Sequence, residues 1–250
     1  MCYDDKARPP APPGSTGHTE GNDLVLTAGD GNRFMAYLAT PNDTTMRAGV
    51  LILPDVRGLF TFYKELALRF AEVGIPAIAM DYFGRTAGLG DRDESFVFMP
   101  HVDQITFAGV LADAAASLGA LPAGCDAQFT LGFCLGGTLS FLCGTSDLPL
   151  AGTVGFYSGV KRSIAGAGTL LENAHRVKHP ALGLFGGDDA GIPPEAVAEI
   201  DAAFDQAGVS HEVVTYAGAP HSFFDRRAAD HADASTDAWQ RVLRFIAANA

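Results

Sequence analysis

Basic residues are scarce in this chain: 17 Lys and Arg stand against 29 Asp and Glu, for a formal charge of −12. A surface of that sign repels phosphate backbones and anionic lipid, which argues against nucleic acid or an acidic membrane as partner. Long apolar runs are also missing. None approaches the ~18 residues that suggest a bilayer span, although hydrophobic residues make up 48% of the chain and can fill a large core. The start, Met1-Cys2-Tyr3-Asp4-Asp5-Lys6, lacks the apolar stretch of a secretory signal, so a cytoplasmic protein is expected. Cysteines are few: Cys2, Cys125, Cys134 and Cys143 show no CxxC spacing, and reduced thiols fit them better than a disulfide framework. His175 and His179 alone have a metal-like HxxxH spacing. Pro180 follows directly and no third ligand is near, so no metal is expected.

What is present is an alternation of strand and helix patterns. Residues 1–22, with Arg8-Pro9-Pro10-Ala11-Pro12-Pro13, read as a flexible or surface-bound extension, and residues 23–250 as one domain without internal repeats. Residues 24–27 and 34–38 form a predicted strand pair around Gly29-Asp30-Gly31-Asn32. Residues 49–54 and 75–80 read as buried strands. Between them Phe62, Leu66, Phe70 and Val73 fall on one helical face, and Gly74 is placed to end that helix. Helical patterns at 101–118, 194–207 and 235–248 then alternate with apolar runs near 151–157, 181–186 and 211–216. This order predicts an α/β fold, a mainly parallel sheet with helices on both faces.

Three strand ends carry chemistry. Gln128-Phe129-Thr130-Leu131 leads into Gly132-Phe133-Cys134-Leu135-Gly136-Gly137, where small residues two positions either side of a cysteine permit the strained strand-to-helix turn of a nucleophile elbow. A helix beginning after Cys134 would favour a thiolate through its N-terminal dipole, and the Leu135 amide would then be an oxyanion donor. Downstream, Leu184-Phe185-Gly186-Gly187-Asp188-Asp189 runs into a glycine turn with carboxylates, and Gly218-Ala219-Pro220-His221 into a loop with one histidine. Nucleophile, acid and histidine occur in the chain order of α/β-hydrolases, far enough apart for a βα unit between them. They can therefore meet at one sheet edge.

Taken together, the elbow, the Asp189-x-x-Ile192-Pro193 loop, the Gly218-Ala219-x-His221-x-Phe223 loop and Gly155-Phe156-Tyr157 make the chain resemble the dienelactone hydrolase family over residues 24–248. The resemblance implies an α/β-hydrolase fold, a small ester or lactone substrate and no cofactor. It implies Cys134 as nucleophile, His221 as general base and Asp189 as the carboxylate orienting it, with Asp188 the rival for the third role. It also places the second oxyanion donor at the Val56 amide, in Pro54-Asp55-Val56-Arg57-Gly58. The family usually has glutamate where this chain has Asp55. Either the shorter side chain meets the thiol, or it caps the turn or pairs with Arg57.

Family members acting on dienelactone grip its carboxylate with arginines. Here the candidates are Arg85 and Arg92 after the Asp81 strand, and Arg226 beyond the histidine; Asp225 stands where the family arginine would fall. The alternative for each arginine is a solvated surface. Phe223 is expected at the substrate, and Tyr157 there or in the core. Two other functions suit the same residues: a broad carboxylesterase or thioesterase with promiscuous phosphotriester activity, and a non-catalytic binding protein on a hydrolase scaffold. A monomer is favoured.

Overall fold

The computed structural model of the protein describes residues 6–15, 18–42 and 47–250. Eight strands form one sheet in the order β1-β2-β4-β3-β5-β6-β7-β8. They are β1 (Thr19–Thr27), β2 (Arg33–Pro41), β3 (Ala48–Leu53), β4 (Ala77–Met80), β5 (Ala127–Phe133), β6 (Leu150–Phe156), β7 (Ala181–Gly186) and β8 (His211–Tyr216). β2 pairs antiparallel with β1 and β4, and every other pairing is parallel. The strands β3, β4 and β7 are buried along their whole length, as continuous apolar runs covered on both faces must be. β1 begins at Thr19, inside the span read from sequence as extension. Of residues 20–23 only Gly21 is half-buried, while Glu20, Asn22 and Asp23 are exposed, so periodicity gives no apolar face by which to find them.

The helices are α1 (Thr61–Ala71), the short α2 (Gly84–Ala87) and α3 (Met99–Val102), α4 (Phe107–Gly119), α5 (Leu135–Cys143), the short α6 (Leu170–Asn173), α7 (Pro194–Ala207) and α8 (Ala232–Asn249). The predicted face of α1 is buried through Phe62, Leu66 and Phe70, and Gly74 closes the following turn at φ 84°, a backbone that glycine adopts without strain. The pattern from 101 splits in two: a turn at 103–106 separates α3 from α4, and the Thr106 hydroxyl caps α4 by accepting from the Gly109 amide. Part of the N-terminal extension is bound to the surface. Trp239 on α8 donates its indole N–H to the Pro10 carbonyl at 2.9 Å, and Ala7 is buried beneath Arg8, which pairs with Glu65.

Topology positions the site. The chain passes from β3 to β4 on one side and then returns to β5 on the other, and a sheet that reverses its winding leaves a crevice at the carboxyl ends of those strands. The Asp55 loop follows β3 and Cys134 follows β5. No helix among the described residues is long and apolar enough to cross a membrane.

Candidate active site

Cys134 ends β5 and caps α5 with φ 54° and ψ −114°, a region that non-glycine residues avoid. The surrounding glycines explain how the turn closes. A Cβ at Gly136 would strike the carbonyl oxygens of Leu53 and Pro54, and one at Gly132 would strike the Gly136 carbonyl. Any side chain there would push the elbow away from β3. The Cys134 amide is tied to the Phe156 carbonyl at 3.0 Å, and the Thr138 amide to the Cys134 carbonyl at 3.2 Å. With that bond opening the helix, the amides of Leu135, Gly136 and Gly137 have no intrahelical acceptor. They create a positive end beside the half-exposed thiol.

The carboxylate and the histidine come from the next two strand ends. His221 Nδ1 meets Asp189 Oδ2 at 2.6 Å. Asp189 is buried because its other oxygen satisfies the amides of Gly191 (2.8 Å) and Ile192 (3.2 Å), while Asp188 is exposed. Tyr157, at the end of β6, has φ 37° and lays its ring 4.7 Å from that of His221. Its hydroxyl donates to Asp225 Oδ2 at 3.0 Å, so the fully buried ring belongs both to the core and to the support of the histidine.

The loop after β3 is locked by polar contacts. Asp55 Oδ1 accepts from the Arg57 amide at 2.8 Å, closing an Asx turn, and Oδ2 pairs with Arg57 Nη2 at 3.1 Å. Asp55 thus caps the turn and pairs with Arg57, one of the two roles the sequence offered it. Arg57 is only 3% exposed and stacks 3.5 Å above the Phe60 ring. The Asp55 amide donates to the Tyr63 hydroxyl at 3.0 Å, and Tyr82 donates its own hydroxyl to the Pro54 carbonyl at 2.8 Å. Burial pushes both tyrosines well above the usual phenol range, with the negative charge of Asp55 adding to it; Cys134 contributes for Tyr82. Val56, the expected second oxyanion donor, is half-buried in this turn.

The arginines are placed differently from expectation. Arg85 gives Nε to Asp113 at 2.9 Å and to the Gly109 carbonyl at 3.1 Å, and Nη1 to Asp30 at 2.6 Å. Its task is to neutralise the fully buried Asp113. Arg92 is itself buried, paired with Asp81 at 2.8 Å and bonded to the Gly88 carbonyl at 2.6 Å. Both were read as substrate residues; a buried carboxylate requires a counter-charge, and these two supply it. Arg92 also underlies the Asp55 turn, since a Cβ at Gly58 would meet Asp81 and Arg92. Phe223 is fully buried against Phe156, Tyr157 and Tyr216, a core residue and not a pocket wall. Arg226 remains: its guanidinium pairs with no acid among the described residues, and its Nε is buried without a hydrogen-bond partner there.

Tyr63 and Tyr82 are missed by sequence reasoning. The pairing of Asp55 with Arg57 had a local signal, the Asp-x-Arg-Gly spacing of an Asx turn. His175 lies on a single 3-10 turn and His179 beyond it, so they share no helical face, and no group of His, Cys, Asp or Glu able to hold a metal occurs among the described residues.

A family model described as the dienelactone hydrolase family matches residues 34–249. A Synechocystis protein named "Putative carboxymethylenebutenolidase" is 29% identical over 234 residues, covering 89% of this chain and 95% of its own. Among solved structures, a "Putative Dienelactone Hydrolase" from Klebsiella pneumoniae superposes with TM-score 0.80 at 25% identity, over 92% of this chain and 99% of that one. A dienelactone hydrolase-like promiscuous phosphotriesterase from metagenomic libraries has TM-score 0.77 at 24% identity, over 93% and 99%.

Proposed function

The chain belongs to the dienelactone hydrolase family, hydrolases of lactone and ester bonds, and on that premise we propose that it cleaves small esters or lactones through Cys134, His221 and Asp189. The observation that supports this most is the His221–Asp189 contact of 2.6 Å with the carboxylate buried. Asp189 fixes the proton on Nδ1 and leaves Nε2 as the base. A thiol is mostly protonated at neutral pH, and the base together with the α5 terminus shifts it toward thiolate. The sulfur attacks the carbonyl, the amides of Leu135 and Val56 take the oxyanion, and the alcohol leaves as a thioester forms. Water activated by His221 then releases the acid and restores the thiol. No step needs a metal or an organic cofactor.

Mass spectrometry of protein quenched during turnover of a slow ester tests the mechanism. An acyl adduct on Cys134, absent from Cys134→Ala together with all activity, is expected. Turnover by Cys134→Ala would overturn it.

A second reading, a broad esterase or thioesterase with phosphotriester activity, is favoured by the employment of Arg85 and Arg92 in structural ion pairs. Fewer cations are then left to select an anionic lactone. A phosphotriester presents a tetrahedral centre to the same donors, and a phosphorus–sulfur bond has a better leaving group than a phosphoserine ester. The likeness to the phosphotriesterase itself speaks for the fold alone. Repeated release of a chromogenic leaving group is expected. A single stoichiometric burst with lasting loss of esterase activity would refute turnover.

A further inference from the structure

Behind the His221 ring lies a group of buried charges that acyl transfer does not use. Asp225 is 3% exposed and receives the Tyr157 hydroxyl at 3.0 Å. It also caps its own loop, accepting from the Arg226 amide. Arg57 feels the charge of Asp225 as well as that of Asp55, to which it is bonded. The three groups belong to three different loops: Arg57 follows β3, Tyr157 follows β6 and Asp225 follows β8.

Two of those loops are strained. Tyr157 has φ 37°, and Ser222, directly after His221, has φ 64°. Each such residue costs about 1–3 kcal/mol and persists only where its surroundings over-determine it. The Tyr157 amide is fixed to the Leu184 carbonyl at 2.7 Å, and the amides of Asp225 and Arg227 both reach back to the Ser222 carbonyl at 3.2 Å. Those bonds hold each loop within itself or to the sheet. The Tyr157–Asp225 bond joins the two loops, and the Tyr157 ring that makes it lies against His221.

We propose that Asp225 is a positioning residue for His221, acting on the imidazole through the Tyr157 hydroxyl it accepts and the Tyr157 ring that lies against His221. Its buried carboxylate makes a charge-assisted bond stronger than a neutral pair would give, and it fixes the ring that backs the base. A base displaced by an ångström loses rate, because the reacting atoms must meet within a narrow geometry. Substrate affinity does not depend on that support.

The inference rests on His221 being the base, and a double-mutant cycle tests it. Tyr157→Phe, Asp225→Asn and the double variant are assayed with a neutral aryl ester beside Cys134→Ala and His221→Ala, with near-ultraviolet circular dichroism to confirm packing. Expected is a loss of about 10- to 100-fold in kcat for each single variant, KM within about twofold, and a double variant no worse than the worse single one. If Asp225→Asn does not fold, Tyr157→Phe, which removes only the hydroxyl, decides alone by the same kcat criterion. A folded Tyr157→Phe with kcat within twofold of the parent, additive losses, or a change in KM alone would overturn the proposal. Activity retained by Cys134→Ala or His221→Ala would instead overturn the triad on which it rests.

Discussion

His221 Nδ1 meets Asp189 Oδ2 at 2.6 Å, while the adjacent Asp188 faces solvent. The carboxylate that can hold the imidazole tautomer is thereby distinguished from its neighbour. Asp189→Asn is expected to lower kcat by about four orders of magnitude, as misplacing the proton does in comparable triads, and Asp188→Asn by less than about twofold. Steady-state kinetics on a chromogenic ester would show it. The reverse ranking would transfer the role to Asp188.

The thiols differ in exposure. Burial pushes Cys143 up to about 12 and Cys125 above its usual range, so both keep their protons in mildly alkaline solution. Cys134 is half-exposed at a helix N-terminus. In a Cys2→Ser variant, Cys2 lying outside the described residues, native protein treated with iodoacetamide at about pH 8 is expected to label at Cys134 alone. Comparable labelling of Cys143 in folded protein would contradict this.

Arg226 is the one substrate-reading arginine proposed here that has no acid partner among the described residues. Arg226→Ala should reduce kcat/KM for an anionic lactone by about tenfold or more, through loss of a charge-assisted bond, and leave a neutral ester nearly unchanged. Arg92→Ala should affect both substrates alike. Equal treatment of both by Arg226→Ala would remove the anionic-lactone reading.

Arg85→Ala would leave the buried Asp113 without its main counter-charge. Burial already raises Asp113 above its ordinary 3.8 despite the pull of Arg85, and without that pull the folded carboxyl holds its proton to still higher pH. A folded value above the unfolded one gives a contribution that is present below the unfolded value and lost as pH rises through the folded one. The variant should therefore be less stable by about 3 kcal/mol near neutrality, with the deficit shrinking on acidification. Urea titrations across pH would show a constant deficit if Asp113 were not the cause.

How much of this was legible depends on the distance over which each residue is determined. The elbow is local: Gly132, Cys134 and Gly136 declare a strained turn within five residues, and α7 is found at its observed bounds for the same reason. The order of nucleophile, acid and histidine needs only alternating strands and helices. Asp225 is different. A charged loop residue reads as solvated, and its burial follows from partners on other strand ends that one sequence cannot bring together. Arg85 fails likewise, since its partner Asp113 hides in the helical pattern of α4. Phe223 was misjudged because adjacency to a histidine in sequence says nothing about which way a ring packs.

The bond from Trp239 to the Pro10 carbonyl spans 229 residues. It cannot exist until nearly the whole chain has left the ribosome. The Pro10 segment therefore completes its docking only when α8 is present, with Trp239 packed against Phe70. A chain shortened from its start to Thr19 would retain every strand yet leave that indole N–H without its carbonyl acceptor, so the loss would be felt at the opposite end of the sequence.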